Sequence, residues 1–132
     1  MSITLSKILI DGNEDFDSLT ELEQNVFILA SIRNAVNSSG IVEFYRGEGG
    51  ARQDEAIELL EALDLDEIAF VLDSIGAIFP EGYPPEDLQE RCELIAELEE
   101  DYADLFDEWT EQILDFISPL NNELDTLLKE LE

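Results

Sequence analysis

From residue 54 to the C-terminus the chain carries 26 acidic side chains against two basic ones, a net charge of −24. Residues 1–53 carry eight acids and four bases, a net of −4. Charge at that density must stay in water, so a folded chain has to turn its acids outward and find its core in apolar stripes between them. The 45% hydrophobic content supplies such stripes and argues against the disorder that charge alone would suggest. At 132 residues the chain fits one domain, able to bury roughly two-thirds of its unfolded surface.

The apolar stripes have a helical period. Ser18-Leu19-Thr20-Glu21 reads as a capping box, opening a series of Leu19, Leu22, Val26, Leu29, Ile32, Arg33 and Val36 that stops before Gly40. A short helix is expected over Ile41–Arg46, then a glycine-rich turn, Gly47-Glu48-Gly49-Gly50. A helix from about Gln53 to Leu63 buries Ala56, Leu59, Leu60 and Leu63. Asp64 or Asp66 caps another that runs to Phe79, with Ile68, Val71, Leu72, Ile75 and Phe79 inward. Residues 80–85 are too rich in proline to continue a helix, and the chain beyond reads as helix to its end with a break or kink at Ser118-Pro119. The expectation is an all-α fold: one compact multi-helix domain over 1–132. It comprises an N-terminal extension (1–17), core helices (18–79), a linker (80–85) and a long acidic helical segment (86–132).

Composition closes several functional routes. There is no histidine, so the commonest general base and neutral metal ligand are both missing. Cys92 is the single cysteine, which excludes an intrachain disulfide and a thiolate cluster. Its acidic neighbours Glu90 and Glu93 disfavour the thiolate, so it reads as a packing residue or bystander. Asp11, Asn13 and Asp15 have the spacing of the first EF-hand ligands, but Phe16 stands where the loop needs glycine and Leu22 where it needs a bidentate acid. The glycine-rich turn lacks the Gly-Lys-Ser/Thr of a phosphate loop. Paired carboxylates without a sugar-sized cleft do not make a glycosidase. No catalytic residue, metal or cofactor is expected. Repulsion from phosphate argues against direct binding to nucleic acid or an anionic membrane. Met1–Ile10 lacks the apolar core of a signal peptide and no window has the ~20 apolar residues of a spanning helix, so the expected location is the cytoplasm.

One constellation survives. Glu90, Glu93, Glu97, Asp101, Asp104, Glu108, Glu111 and Asp115 follow one another at steps of three or four, which on a continuous helix forms one stripe. Leu94, Leu98, Leu105, Trp109, Ile113 and Phe116 run along a neighbouring face that can be buried. The 25 steps from Glu90 to Asp115 would span roughly 37 Å, close to one turn of duplex DNA at about 34–36 Å. A surface that served solubility alone would mix glutamate with lysine, yet only Arg91 interrupts the acids here. The one-sidedness points to a basic protein partner.

From Leu22 to about Leu98 the sequence also resembles a bacterial DNA-mimic family first catalogued as a domain of unknown function. The resemblance rests on Ala35-Val36-Asn37-Ser38-Ser39-Gly40 with Phe44-Tyr45, then Ala56-Ile57-Glu58-Leu59-Leu60-Glu61-Ala62-Leu63, then Ile75-Gly76-Ala77-Ile78-Phe79-Pro80. The chain departs from the family pattern at the turn, where Ser38, Ser39 and Ile41 occupy the place of a second asparagine and paired glycines. The resemblance implies an all-α monomer or homodimer that occupies the DNA-binding face of a transcription regulator, nucleoid or defence protein and so inhibits it. An immunity-type inhibitor of a basic nuclease toxin shares these electrostatics and is the alternative. A cation-buffering or purely structural acidic protein is a third class.

Overall fold

A computed structural model describes residues 3–131; Met1, Ser2 and Glu132, the outermost residues of the expected extension and acidic segment, lie outside the described residues. The chain forms α1 (Ile3–Asp15), α2 (Glu21–Asn37), α3 (Val42–Arg46), α4 (Gln53–Ala62), α5 (Asp66–Ile78), α6 (Leu88–Asp101), α7 (Ala103–Leu114) and α8 (Ile117–Leu131). Short 3₁₀ turns cover Phe16–Ser18 and Glu48–Arg52. No strand occurs among the described residues, and the fold is all-α as expected.

Helix α2 is the hub. Its run Val26-Phe27-Ile28-Leu29-Ala30 is buried without interruption, so the helix is enclosed on every side rather than along one stripe. Helices α1, α3, α4, α7 and α8 all pack on it. Helix α5 bridges α4 and α7, and α6 lies on α3, so that one continuous core runs from Leu5 to Leu124. Where α1 crosses α2, Gly12 is buried so tightly that a Cβ there would stand 2.3 Å from Phe27 Cδ2. Gly12→Ala gains about 1 kcal/mol of helix propensity, but overpacking of a filled core costs about 1–3 kcal/mol. A net loss is therefore expected, measurable as an earlier urea midpoint.

Three local expectations are corrected. The capping box of α2 is built by Thr20, not Ser18: Thr20 Oγ1 accepts from the Glu23 N–H at 3.2 Å, and Glu23 Oε1 accepts from the Thr20 N–H at 2.9 Å. Burial of Phe16 and Leu19 holds the preceding turn against the core, and Ser18 instead donates to the Asp15 carbonyl at 2.7 Å. No aspartate side chain caps α5, whose N-cap position is Leu65. Asp64 serves the end of α4: it sits at φ 61°, with the Leu65 N–H on the Leu60 carbonyl and its own N–H on Glu61, the paired bonds of a Schellman ending.

The third correction concerns the C-terminal segment. It breaks at Tyr102 (φ −127°, ψ 34°) and again at Asp115–Phe116, and Ser118-Pro119 is not a break. Pro119 is the third residue of α8, inside the first turn, where an N–H has no intrahelical acceptor and proline costs little. The breaks follow from tertiary packing: α6 serves α3, α7 serves α5 and α2, and α8 runs along α2.

Candidate partner-binding surface

The acids come to the surface because the apolar residues between them are drawn inward. On α6, Ile95 is buried and Leu94 and Leu98 are half-buried; on α7, Phe106, Trp109 and Ile113 are buried and Leu105 is half-buried. Phe106 and Trp109 meet edge to face at 5.2 Å. The remaining faces carry Glu90, Glu93, Glu97 and Asp101 on α6, and Asp104, Glu108 and Glu111 on α7, with Asp115 at the turn into α8. All eight are exposed. They form two rows, about 17 Å from Glu90 to Asp101 and about 11 Å from Asp104 to Glu111, instead of one stripe, because the bend at Tyr102 interrupts the helix between Asp101 and Asp104. The 37 Å expectation applied to a straight helix and does not describe this chain.

Two acids escaped the sequence reading. Glu100 and Asp107 are also exposed, and they lie three or four residues from Glu97, Asp104 and Glu111, so they widen both rows. The same spacing signal held them; a single series of steps chose one path through the acids and passed them by.

None of these ten carboxylates is in an ion pair among the described residues; Arg46 and Arg52 pair with other acids. Arg46 bridges Glu43 and Glu99, the latter at 2.6 Å, which removes Glu99 from the free set and ties α3 to α6. Arg52 lies over the Phe16 ring at 4.3 Å and pairs with Asp17, Glu48 and Glu55 at 3.6, 3.1 and 3.7 Å. Lys129 sits on α8.

Arg91, the cation that interrupts the acids in the sequence, is not part of the surface at all. It is 0% exposed. Its Nε donates to the Tyr45 carbonyl at 2.8 Å, Nη1 to Pro85 and Glu86 at 2.8 and 3.0 Å, and Nη2 to Gly47 at 2.7 Å. Burial lowers the guanidinium's pKa from its ordinary value, opposed by the nearby carboxylates of Glu48 and Asp87. A guanidinium stays protonated through any such shift, so a full positive charge lies beneath the acidic face, held by carbonyl dipoles. The glycine-rich turn is the other half of this lock: a Cβ on Gly50 would stand 2.6 Å from Arg91 Nε and 2.8 Å from Tyr45 Cα. The start of α6 is fixed by the same stretch, with Asp87 Oδ2 accepting from the Glu90 N–H at 2.9 Å.

Beside this lock, Tyr45 donates its hydroxyl to Gln53 Oε1 at 2.9 Å, and Gln53 donates to the Leu72 carbonyl. Burial pushes the Tyr45 phenol far above its usual range, so it stays a neutral donor. Asp11, Asn13 and Asp15 are residues of helix α1. No group of three or more acidic or sulfur side chains is placed to hold a metal ion among the described residues. No described helix is long and apolar enough to cross a membrane.

Chemically, ten exposed carboxylates, nine on two adjoining helices and Asp115 at the turn after them, offer acceptors and negative potential, the properties by which a phosphate backbone is recognised. Neither a curated protein nor a solved structure gives a significant match to the chain. A family model, that of the DMP19-like proteins, covers residues 17–131. The match runs beyond the Leu22–Leu98 resemblance and takes in the acidic helices α7 and α8, while α1 lies outside it. The chain belongs to the DMP19-like family of bacterial DNA-mimic proteins.

Proposed function

We propose that this protein binds the DNA-binding surface of a basic protein and competes with DNA for it. The observation that supports the reading is the exposed set on α6 and α7, eight carboxylates from Glu90 to Asp115 widened by Glu100 and Asp107, with every cation of that stretch withdrawn. Carboxylates in the place of phosphate oxygens accept hydrogen bonds from arginine and lysine, giving fast and salt-sensitive association. Base edges are not copied, so selectivity between partners falls to shape and to a few apolar or polar contacts. The reading involves no catalysis.

Membership of a family does not by itself fix function, so the test is biochemical. The tagged full chain is used to capture proteins from a lysate at low and high salt, and each captured protein is challenged with duplex DNA. A DNA-binding protein retained at low salt, released at high salt and displaced by duplex supports the reading. Capture of a nuclease whose active site is blocked would replace it with the immunity alternative.

A further inference from the structure

Phe70 is the most exposed large apolar side chain described, at 68%. It stands on the outer side of α5, where Ile68, Ala69, Val71, Leu72 and Ile75 are buried and Ile78 is half-buried. It lines a groove of about 540 Å³ between α5 and the end of α7, together with Asp66, Glu67, Gln112, Asp115 and Phe116. Two phenyl rings, three carboxylates and an amide, with no cation, form its wall. The two rings give the groove an apolar wall, and the carboxylates on its rim suit it to a cationic group.

The molecule shows elsewhere what these groups hold. Arg52 lies on the Phe16 ring at 4.3 Å and is flanked by the carboxylates of Asp17, Glu48 and Glu55. The α5–α7 groove repeats that set as Phe70 with Asp66, Glu67 and Asp115, lacking the guanidinium. We infer that the groove receives an arginine side chain of the basic partner, its guanidinium stacked on Phe70 and paired with the flanking carboxylates. Arginine suits the seat better than lysine because its planar, weakly hydrated head can stack and fork at once. A second copy of this chain is disfavoured, since it would bring further carboxylates against three already there. A metal ion is disfavoured because these carboxylates form none of the groupings able to hold one. The inference rests on the proposed function in taking the partner as basic, and it adds an aromatic anchor beside Asp115 to a surface otherwise made of exposed carboxylates.

The test uses the full chain with ¹³C-labelled phenylalanine rings, titrated with a capped helical peptide carrying three arginines and with its lysine twin. The arginine peptide is expected to shift the Phe70 and Phe116 ring signals and to bind more tightly than the lysine twin. Phe70→Ala and Phe70→Leu are each expected to weaken it roughly two- to fivefold, with helicity unchanged because the ring is exposed. Unmoved Phe70 signals at saturation, or full affinity in Phe70→Leu, would overturn the stacking assignment. The variant with Glu97, Asp101, Asp104 and Glu108 neutralised separates the two ideas. If it loses the natural partner while Phe70→Ala does not, the groove assignment fails and the proposed function stands. If it keeps the natural partner, the proposed function fails whatever the peptide does.

Discussion

Neutralising Glu97→Gln, Asp101→Asn, Asp104→Asn and Glu108→Gln together is expected to weaken partner binding by roughly 2–4 kcal/mol, or about 30- to 700-fold. That range takes about 0.5–1 kcal/mol for each carboxylate meeting a cation at an exposed interface. The four straddle the bend at Tyr102, so any partner that spans both rows must meet some of them. The same changes remove the like-charge pairs Glu97–Asp101 and Asp104–Glu108, each costing a few tenths of a kcal/mol in the folded helix. Stability should therefore hold or rise slightly while affinity falls. Titration calorimetry against the captured partner, with circular dichroism on the same samples, reads both at once. Unchanged affinity would remove α6 and α7 as the contact surface.

Arg91→Met is expected to act in the opposite way, lowering stability by about 3–5 kcal/mol. The guanidinium satisfies the carbonyls of Tyr45, Gly47, Pro85 and Glu86, and an apolar replacement takes that donor from all four, of which Tyr45 is buried and Gly47 and Pro85 half-buried. Lysine keeps the charge but cannot reach three directions from one planar head, so Arg91→Lys should still lose about 2 kcal/mol. With urea slopes of about 1–3 kcal/mol/M, the methionine variant should unfold more than about 1 M earlier than the parent. A shift of a tenth of that would show that the lock does not hold α6 in place.

The two variants separate what was legible in the sequence from what was not. Outward acids were legible, because helical spacing sets side-chain direction and burial of Ile95, Phe106, Trp109 and Ile113 decides which side faces water. The burial of Arg91 was not, since two of its acceptors, Tyr45 and Gly47, lie 46 and 44 residues away and no local pattern announces a partner at that distance. Helix existence is readable from periodicity, but the proline signal at Ser118-Pro119 points to the wrong place for a break. Tyr102 and Phe116 carry no breaker signal; the bends there arise because α6, α7 and α8 each answer to a different neighbour. Conversely, Pro119 carries the strongest signal and sits harmlessly in a first turn. Helical spacing leaves Phe70 off the inward stripe of Ile68, Val71, Leu72 and Ile75, but only the placement of α7 beside α5 shows the groove that it lines.

The central claim is that carboxylates on α6 and α7 occupy the place of DNA phosphates on a basic protein. The most direct measurement is fluorescence anisotropy of a labelled duplex bound to the captured partner, with the full chain added as competitor. The claim predicts complete displacement of the duplex, with an apparent inhibition constant that weakens steeply as salt rises, and no displacement at the same concentrations by the four-site neutralised variant. A stable complex of partner, duplex and this protein together, or displacement by the neutralised variant as effective as by the parent, would contradict it.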